Sequence, residues 1–164
     1  MRNVATRLVI LIALLIPLNA EEFTGKVVGV SDGDTITVLT GRLTRRVRLD
    51  GIDAPEANQA FGQRAKQAAS RSAFGRVVKV IGHGEDRYGR SLGEVLLPDG
   101  SKLNERMVAD GWAWHYKRYS NDARLAELEE TARRRRAGLW SDPHAIPPWE
   151  FRESKRKAAL IGRQ

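Results

Sequence analysis

Ser31-Asp32-Gly33-Asp34-Thr35-Ile36-Thr37-Val38-Leu39, followed after Thr40-Gly41-Arg42 by Leu43-Thr44-Arg45-Arg46-Val47-Arg48-Leu49-Asp50-Gly51-Ile52-Asp53-Ala54-Pro55-Glu56, is the stretch that decides the architecture. Within 35–39 polar and apolar residues alternate from Thr35 to Val38, the period of a half-buried strand. Asp32-Gly33 before it is a pair favoured in tight hairpin turns, and Thr40-Gly41 closes it. Residues 43–49 read as the next strand, with Val47 and Leu49 on one face and therefore Arg48 on the other. The same stretch gathers Asp32, Asp34, Asp53 and Glu56 around Arg48. Carboxylates crowded in this way repel unless a cation or a proton sits between them.

Outward from this stretch, residues 23–31, with Val27, Val28 and Val30, form the strand that precedes the turn. Pro55 ends the third strand's run by pushing Ala54 toward extended geometry. Asn58 is the expected cap of a first helix with Phe61, Ala65, Ala68 and Ser72 on one stripe. Residues 76–81 read as a fourth strand, 82–89 as a polar loop and 92–97 as a fifth strand closed by Pro98-Asp99-Gly100. A short helix over 103–110 stops at Gly111, and a longer one over 122–137 carries Leu125, Leu128 and Ala132 on its stripe. In that helix Glu129 and Glu130 stand four residues before Arg133 and Arg134, a stabilising order, and Gly138 is its stop. The expected class is mainly β with α additions: a five-stranded barrel of the oligonucleotide-binding (OB) kind with about three helices.

The chain has 164 residues, 28 Lys and Arg against 20 Asp and Glu, and a net charge of +8, a surplus that favours polyanionic partners. It has no cysteine, which excludes disulfides, Cys-ligated zinc and thiol nucleophiles. Arg2 and Arg7, the apolar run 8–16 and Pro17-Leu18-Asn19-Ala20 read as a secretory signal peptide cut after Ala20, an uncleaved anchor being the alternative. Cleavage would remove two arginines and no acid, leaving a charge of about +6 on the folded part. The expected organisation is a signal over 1–20, one domain over 21–142 and a basic tail over 143–164 that wraps the domain and frays. Export to the periplasm or the external medium follows from that signal.

Asp34 and Asp53 fall at neighbouring strand ends, and adjacent strands lie about 4.8 Å apart, so the two carboxylates can share one ion. Two carboxylates, a carbonyl and waters suit a hard cation such as Ca²⁺ better than zinc. His83, His115 and His144 are scattered and read as surface or loop residues. Arg48, and Arg90 in Asp86-Arg87-Tyr88-Gly89-Arg90, offer forks that match the oxygens of a phosphodiester under attack. Glu56 supplies a group to order or deprotonate a water. Taken singly, Asp-Gly-Asp-Thr fits a turn, Arg48 a solvated strand arginine and Glu56 a helix-entry carboxylate.

Asp32-Gly33-Asp34-Thr35, Arg48, Asp53-Ala54-Pro55-Glu56, Asp86-Arg87-Tyr88-Gly89-Arg90, Asn104-Glu105 and Gly111-Trp112-Ala113, in that order, resemble the staphylococcal-type nuclease (thermonuclease) family over residues 23–140. The resemblance implies a Ca²⁺-dependent phosphodiesterase of the OB fold that cuts DNA and RNA and leaves 3′-phosphate ends. By position it implies Asp34, Asp53 and the backbone carbonyl of Ala54 as Ca²⁺ ligands with Asp32 nearby, Glu56 as general base, and Arg48 and Arg90 on the phosphate. Tyr119, then Tyr116, are the expected base-stacking residues, with Tyr88 and Arg87 as further substrate contacts. Trp112 is expected in the core and Trp114 at its rim. Ala54 replaces a threonine of the family pattern, and the short connection after Glu56 leaves no room for a substrate-facing basic loop. A monomer without a stable protein partner is expected. The rival reading is a non-catalytic OB module that binds nucleic acid or a protein; a binder, however, has no use for carboxylates facing a phosphate.

Overall fold

Alternating β-branched residues bring the first part of the chain back and forth as three antiparallel strands, β1 (Glu21–Val30), β2 (Thr35–Thr40) and β3 (Leu43–Leu49). The computed structural model, which describes residues 21–162, continues with β4 (Ile52–Asp53), α1 (Gly62–Ala73), β5 (Val77–Glu85), β6 (Ser91–Leu96), α2 (Leu103–Ala109), β7 (Trp114–His115) and α3 (Ala123–Arg134). A 3₁₀ turn at Gly138–Ser141 and α4 (Pro148–Ile161) complete it. The five long strands close into a barrel in the order β1-β2-β3-β6-β5. All its pairings are antiparallel except β3 with β6, which run parallel. The expected five-stranded barrel with helical additions is therefore present, with four helices instead of three; the additional one is α4.

The barrel is filled by the inward residues of each strand. Val27, Ile36, Val38, Val47, Leu49, Val78, Val80 and Val95 are all buried, each contributing about 1.5–3 kcal/mol if fully removed from water. Ala65, Ala68, Ala69 and Ala73 give α1 a shallow face that lies against the same core, and Leu103, Met107 and Val108 of α2 and Leu125 of α3 cap it. A second cluster, Trp114, Ala132, Leu139 and Trp140, lies beyond the barrel with Phe61, Ala145 and Trp149 packed on it. The ends of α2 and α3 meet where Gly111 and Gly138 touch: Leu139 N–H donates to the Gly111 carbonyl at 2.8 Å, and a Cβ on Gly111 would fall 2.2 Å from the Ala137 carbonyl.

Several local expectations are corrected. The β1–β2 connection is not a two-residue turn; residues 31–34 form a longer loop in which Asp34 N–H donates to Asp32 Oδ1. Asn58 does not cap α1, because the helix starts after Phe61, whose φ of 67° places it in the left-handed region. Part of the expected polar loop after residue 81 continues β5 through a bulge between Gly82 and Gly84. Trp114 is buried and Trp112 only half-buried, the reverse of the expected order, and His115 is buried as well. Pairing of β7 with β4 turns Trp114 and His115 into the molecule together, since α3 covers the side that would otherwise face water. Residues 1–20, on which the signal-peptide expectation falls, lie outside the described residues. Among the described residues no helix is long and apolar enough to cross a membrane.

Asn104 of α2 joins the barrel to the chain that leads into the cleft described below. It is 3% exposed, accepts from Val95 N–H at 3.1 Å and donates to the carbonyls of Asp50 (2.9 Å) and Gly93 (3.2 Å). Replacing it with alanine leaves Val95 N–H without its partner and should lower stability by about 2–3 kcal/mol in urea denaturation. A loss below about 0.5 kcal/mol would contradict that role.

Candidate active site

The barrel brings three strand ends to one rim. Thr35, the first residue of β2, pairs with Arg48 of β3, and the parallel pairing of β3 with β6 sets Arg48 beside Leu92. Arg90, next to the first residue of β6, is thereby carried to the same rim despite its distance in sequence. Past β3 the chain turns at Asp50-Gly51 and returns as β4, which delivers Asp53. The loop carrying Asp34 lies tight against this return: a Cβ on Gly33 would sit 2.7 Å from the Ala54 Cβ and 2.8 Å from the Ala65 Cβ. Gly33 is thus needed for close approach, whereas the sequence suggests a turn requirement.

These elements wall a cleft of about 600 Å³ lined by Asp32, Asp34, Arg48, Asp53, Ala54, Glu56, Arg87, Tyr88, Arg90, Tyr116 and Tyr119, which are all of the sequence-expected site residues. Asp50, Asp86 and Arg152 also line it. Six carboxyl groups therefore face four guanidinium groups across one space.

Arg48 is the centre of the cluster. Its Nη1 lies 2.9 Å from Asp34 Oδ2, and its Nη2 donates to Asp53 Oδ1 at 2.9 Å. The same guanidinium donates to the carbonyls of Leu49 (3.2 Å) and Ile52 (3.0 Å). Asp34 also accepts from the Ala54 amide at 2.6 Å and from the Thr35 hydroxyl at 3.1 Å. Burial nonetheless pushes the Asp34 carboxyl up to about 7, against the pull of Arg48 and with the push of Asp32 and Asp53. One guanidinium does not offset the desolvation of this carboxylate.

Arg90 is held by Asp86 in a two-point ion pair, Nε at 2.7 Å and Nη2 at 2.6 Å from Oδ2. Burial works to raise the Asp86 carboxyl, but its bonds from Arg90 and from the Tyr88 amide outweigh that and hold it below the ordinary carboxylate range. Nη1 of Arg90 contacts the Thr35 hydroxyl at 3.4 Å, so Arg90 reaches the Asp34 group through one side chain. Tyr88 is exposed, with the guanidinium carbons of Arg87 and Arg90 at 4.9 and 5.5 Å from its ring centre. Tyr119 is exposed and meets Tyr116 edge-on at 4.8 Å. Tyr116 has one face covered by Trp149, stacked at 5.3 Å with 5° between the planes, which leaves Tyr119 the freer platform.

Glu56 faces a partner that sequence reasoning missed. Arg152 of α4 donates to Glu56 Oε1 at 2.7 Å and to both oxygens of Asp53, at 3.2 and 2.7 Å. Burial works against the charge on Arg152, but these bonds outweigh it and raise its pKa. The helix is seated by buried Pro148, by Trp149 edge-on to Trp114 at 5.7 Å, and by Gln59 Nε2 donating to the Ile146 carbonyl at 2.6 Å. Pro147-Pro148 ahead of an apolar pair was a legible helix-start signal. No local pattern, however, announces a contact between residues 96 and 99 positions apart.

Among the described residues no group of three or more His, Cys, Asp or Glu side chains is arranged to hold a metal ion. The donors on offer are a carboxylate pair, Asp34 and Asp53, drawn to one guanidinium. Neither ring nitrogens nor thiols are within the set; His115 bonds Ser120 instead, at 3.2 Å, and His83 bonds Asp50 at 3.0 Å.

The family described as staphylococcal nuclease homologue matches residues 46–142. The chain is 44% identical to a micrococcal nuclease of Shigella flexneri, covering 96% of this chain and 95% of that protein. It is 42% identical to an uncharacterized endonuclease of Escherichia coli O157:H7, covering 85% and 91%. A staphylococcal-like nuclease of Arabidopsis thaliana is 40% identical over 68% of this chain and 34% of its own length. With the matched segment carrying Arg48, Asp53, Glu56 and Arg90 on a closed five-stranded barrel, the chain belongs to the staphylococcal nuclease family.

Proposed function

We propose that this protein is an exported, Ca²⁺-dependent nuclease that hydrolyses phosphodiester bonds of DNA and RNA and leaves 3′-phosphate ends. The observation that carries the reading is the convergence of Arg48, Arg90, Glu56, Asp34 and Asp53 on one cleft. The family and its relatives named as nucleases support the hydrolase class. A module that only bound nucleic acid would gain nothing from carboxylates set where a phosphate must lie, because they repel it.

The donor set fits a hard divalent cation. Asp34 and Asp53 share the one Arg48 guanidinium, and the cleft as a whole holds two more carboxyl groups than guanidinium groups. Asp34 and Asp53 would hold the ion with the Ala54 carbonyl and water completing the oxygen shell. When bound, such an ion supplies Lewis acidity to a phosphoryl oxygen.

The chain's own residues do the rest. Arg90, kept in orientation by Asp86, and Arg48 present N–H groups to the oxygens that gain charge as phosphorus becomes five-coordinate. Glu56 accepts the proton of a water as its oxygen bonds phosphorus, and the bond to the 5′ oxygen breaks on the opposite side. The departing oxygen takes a proton from solvent, and the phosphate stays on the 3′ oxygen. Tyr119 offers a face for a neighbouring base, with Tyr116 at its edge and Tyr88 and Arg87 across the cleft. Export rests on the N-terminal sequence; mass spectrometry of protein recovered outside the cytoplasm should give a chain starting at Glu21.

Two outcomes test the cleft. On denatured DNA with Ca²⁺, Glu56→Gln and Arg90→Ala should each lose at least about a hundredfold in kcat, the scale of losing a general base or a charge-stabilising donor. Losses under threefold for both would refute these roles. The second outcome concerns Asp34, whose carboxyl binds a proton in the folded chain between its ordinary 3.8 and about 7 while the unfolded chain has released it. Ion-free stability from this group is therefore full below that window and lost as pH rises through it. In chelator, the Tm of the wild type relative to Asp34→Asn should fall between pH 4 and 7.5. A Tm difference that stays constant or moves the other way would contradict it.

A further inference from the structure

Asp53 is 1% exposed, and guanidinium groups occupy three of the roughly four lone-pair sites of its carboxylate. Oδ1 accepts from Arg48 at 2.9 Å and from Arg152 at 3.2 Å, and Oδ2 accepts from Arg152 at 2.7 Å. A divalent cation needs a lone pair of that carboxylate pointed at it, and it repels a positive N–H on the same oxygen. The lone pair left open is on Oδ2, the oxygen that otherwise carries only the Arg152 N–H, so Arg152 is the guanidinium an ion there would face.

The two arginines differ in how firmly they are held. The Arg48 side chain is 13% exposed and tied to two backbone carbonyls and to Asp34 as well as to Asp53. The Arg152 side chain is 40% exposed, and its bonds go only to Asp53 and Glu56. The helix that carries Arg152 is seated independently by Trp149 and by the Gln59 bond to Ile146, so its side chain can turn without α4 undocking. The lead-in to α4 also lies against the short connection after Glu56, where Gln59 Nε2 donates to the Ile146 carbonyl at 2.6 Å.

Resting on the reading of the cleft as a cation-assisted hydrolytic centre, we propose that Arg152 is a positioning residue whose guanidinium bridges Asp53 and Glu56 in the ion-free site and leaves Asp53 when a divalent ion binds. The same guanidinium that leaves Asp53 is bonded to Glu56 Oε1. Its movement therefore also loosens the contact with Glu56 at the moment the ion arrives. In the ion-free chain Arg152 prevents the repulsion that would otherwise spread the two carboxylates. Ion affinity is correspondingly weaker than the carboxylate pair alone would give.

Calorimetric titration of Ca²⁺ into the metal-stripped chain tests this without reference to activity. Arg152→Gln should bind Ca²⁺ about tenfold more tightly than the wild type, and Arg152→Lys, which keeps the charge but not the fork, should fall between them. Nuclear magnetic resonance of the ¹⁵N-arginine-labelled wild type gives a second readout. The Arg152 guanidinium protons should be protected in chelator and lose protection at saturating Ca²⁺, while those of Arg48 stay protected. Equal or weaker Ca²⁺ binding by both variants, or Arg152 signals unchanged by saturating Ca²⁺, would overturn the role of Arg152 alone. Absence of Ca²⁺ binding in the wild type and in both variants would overturn the cation reading and this role with it. If Arg152→Gln does not fold, Arg152→Lys and the resonance experiment still decide.

Discussion

One guanidinium between two buried carboxylates sets the geometry of this molecule. Arg48 stands on β3, Asp34 precedes β2 and Asp53 lies on β4, so their ion pairs fix where the barrel rim and the returning chain meet. The pairs are buried, which makes removal of one partner costly, about 3–5 kcal/mol, because the other charges stay behind without compensation. They are also incomplete. Burial keeps Asp34 raised even beside Arg48, so one guanidinium does not offset the desolvation of this carboxylate.

Other parts of the structure bring further guanidinium groups to the same cleft. The parallel pairing of β3 and β6 carries Arg90 in, and Asp86 then orients it. The C-terminal helix supplies Arg152, which bonds Glu56 and Asp53. Aromatic packing makes this second supply dependable: Trp149 lies flat on Tyr116 and edge-on to Trp114, so the same contact that seats α4 also shapes the aromatic wall of the cleft. Stability of the C-terminal segment and geometry of the site are in this way one problem.

Much of this was legible in the sequence where the relevant spacing is short. Strand alternation located β2 and β3 and put Arg48 on the face opposite Val47 and Leu49, where a solvated arginine was the other reading; Asp34 and Asp53 are the anionic partners it meets. Arg90 was legible only through the order of motifs, since the strand pairing that brings it in is not local. Trp114 and His115 were misjudged because a two-residue strand covered on both sides follows no alternation. Arg152 was missed for a related reason: residues 143–164 read as a basic tail by composition, and a single arginine among many carries no mark of the carboxylates it will meet. Phe61 in a left-handed conformation likewise defeats a cap rule built on Asn58.

The most direct measurement is an anomalous-difference map from a crystal of the chain soaked with Ca²⁺ or a lanthanide that replaces it. A single strong peak within about 2.3–2.6 Å of carboxylate oxygens of both Asp34 and Asp53, with Arg152 turned off Asp53, is the predicted result. A cleft without a peak at full soaking, or an ion held elsewhere while Arg152 keeps both oxygens of Asp53, would contradict it.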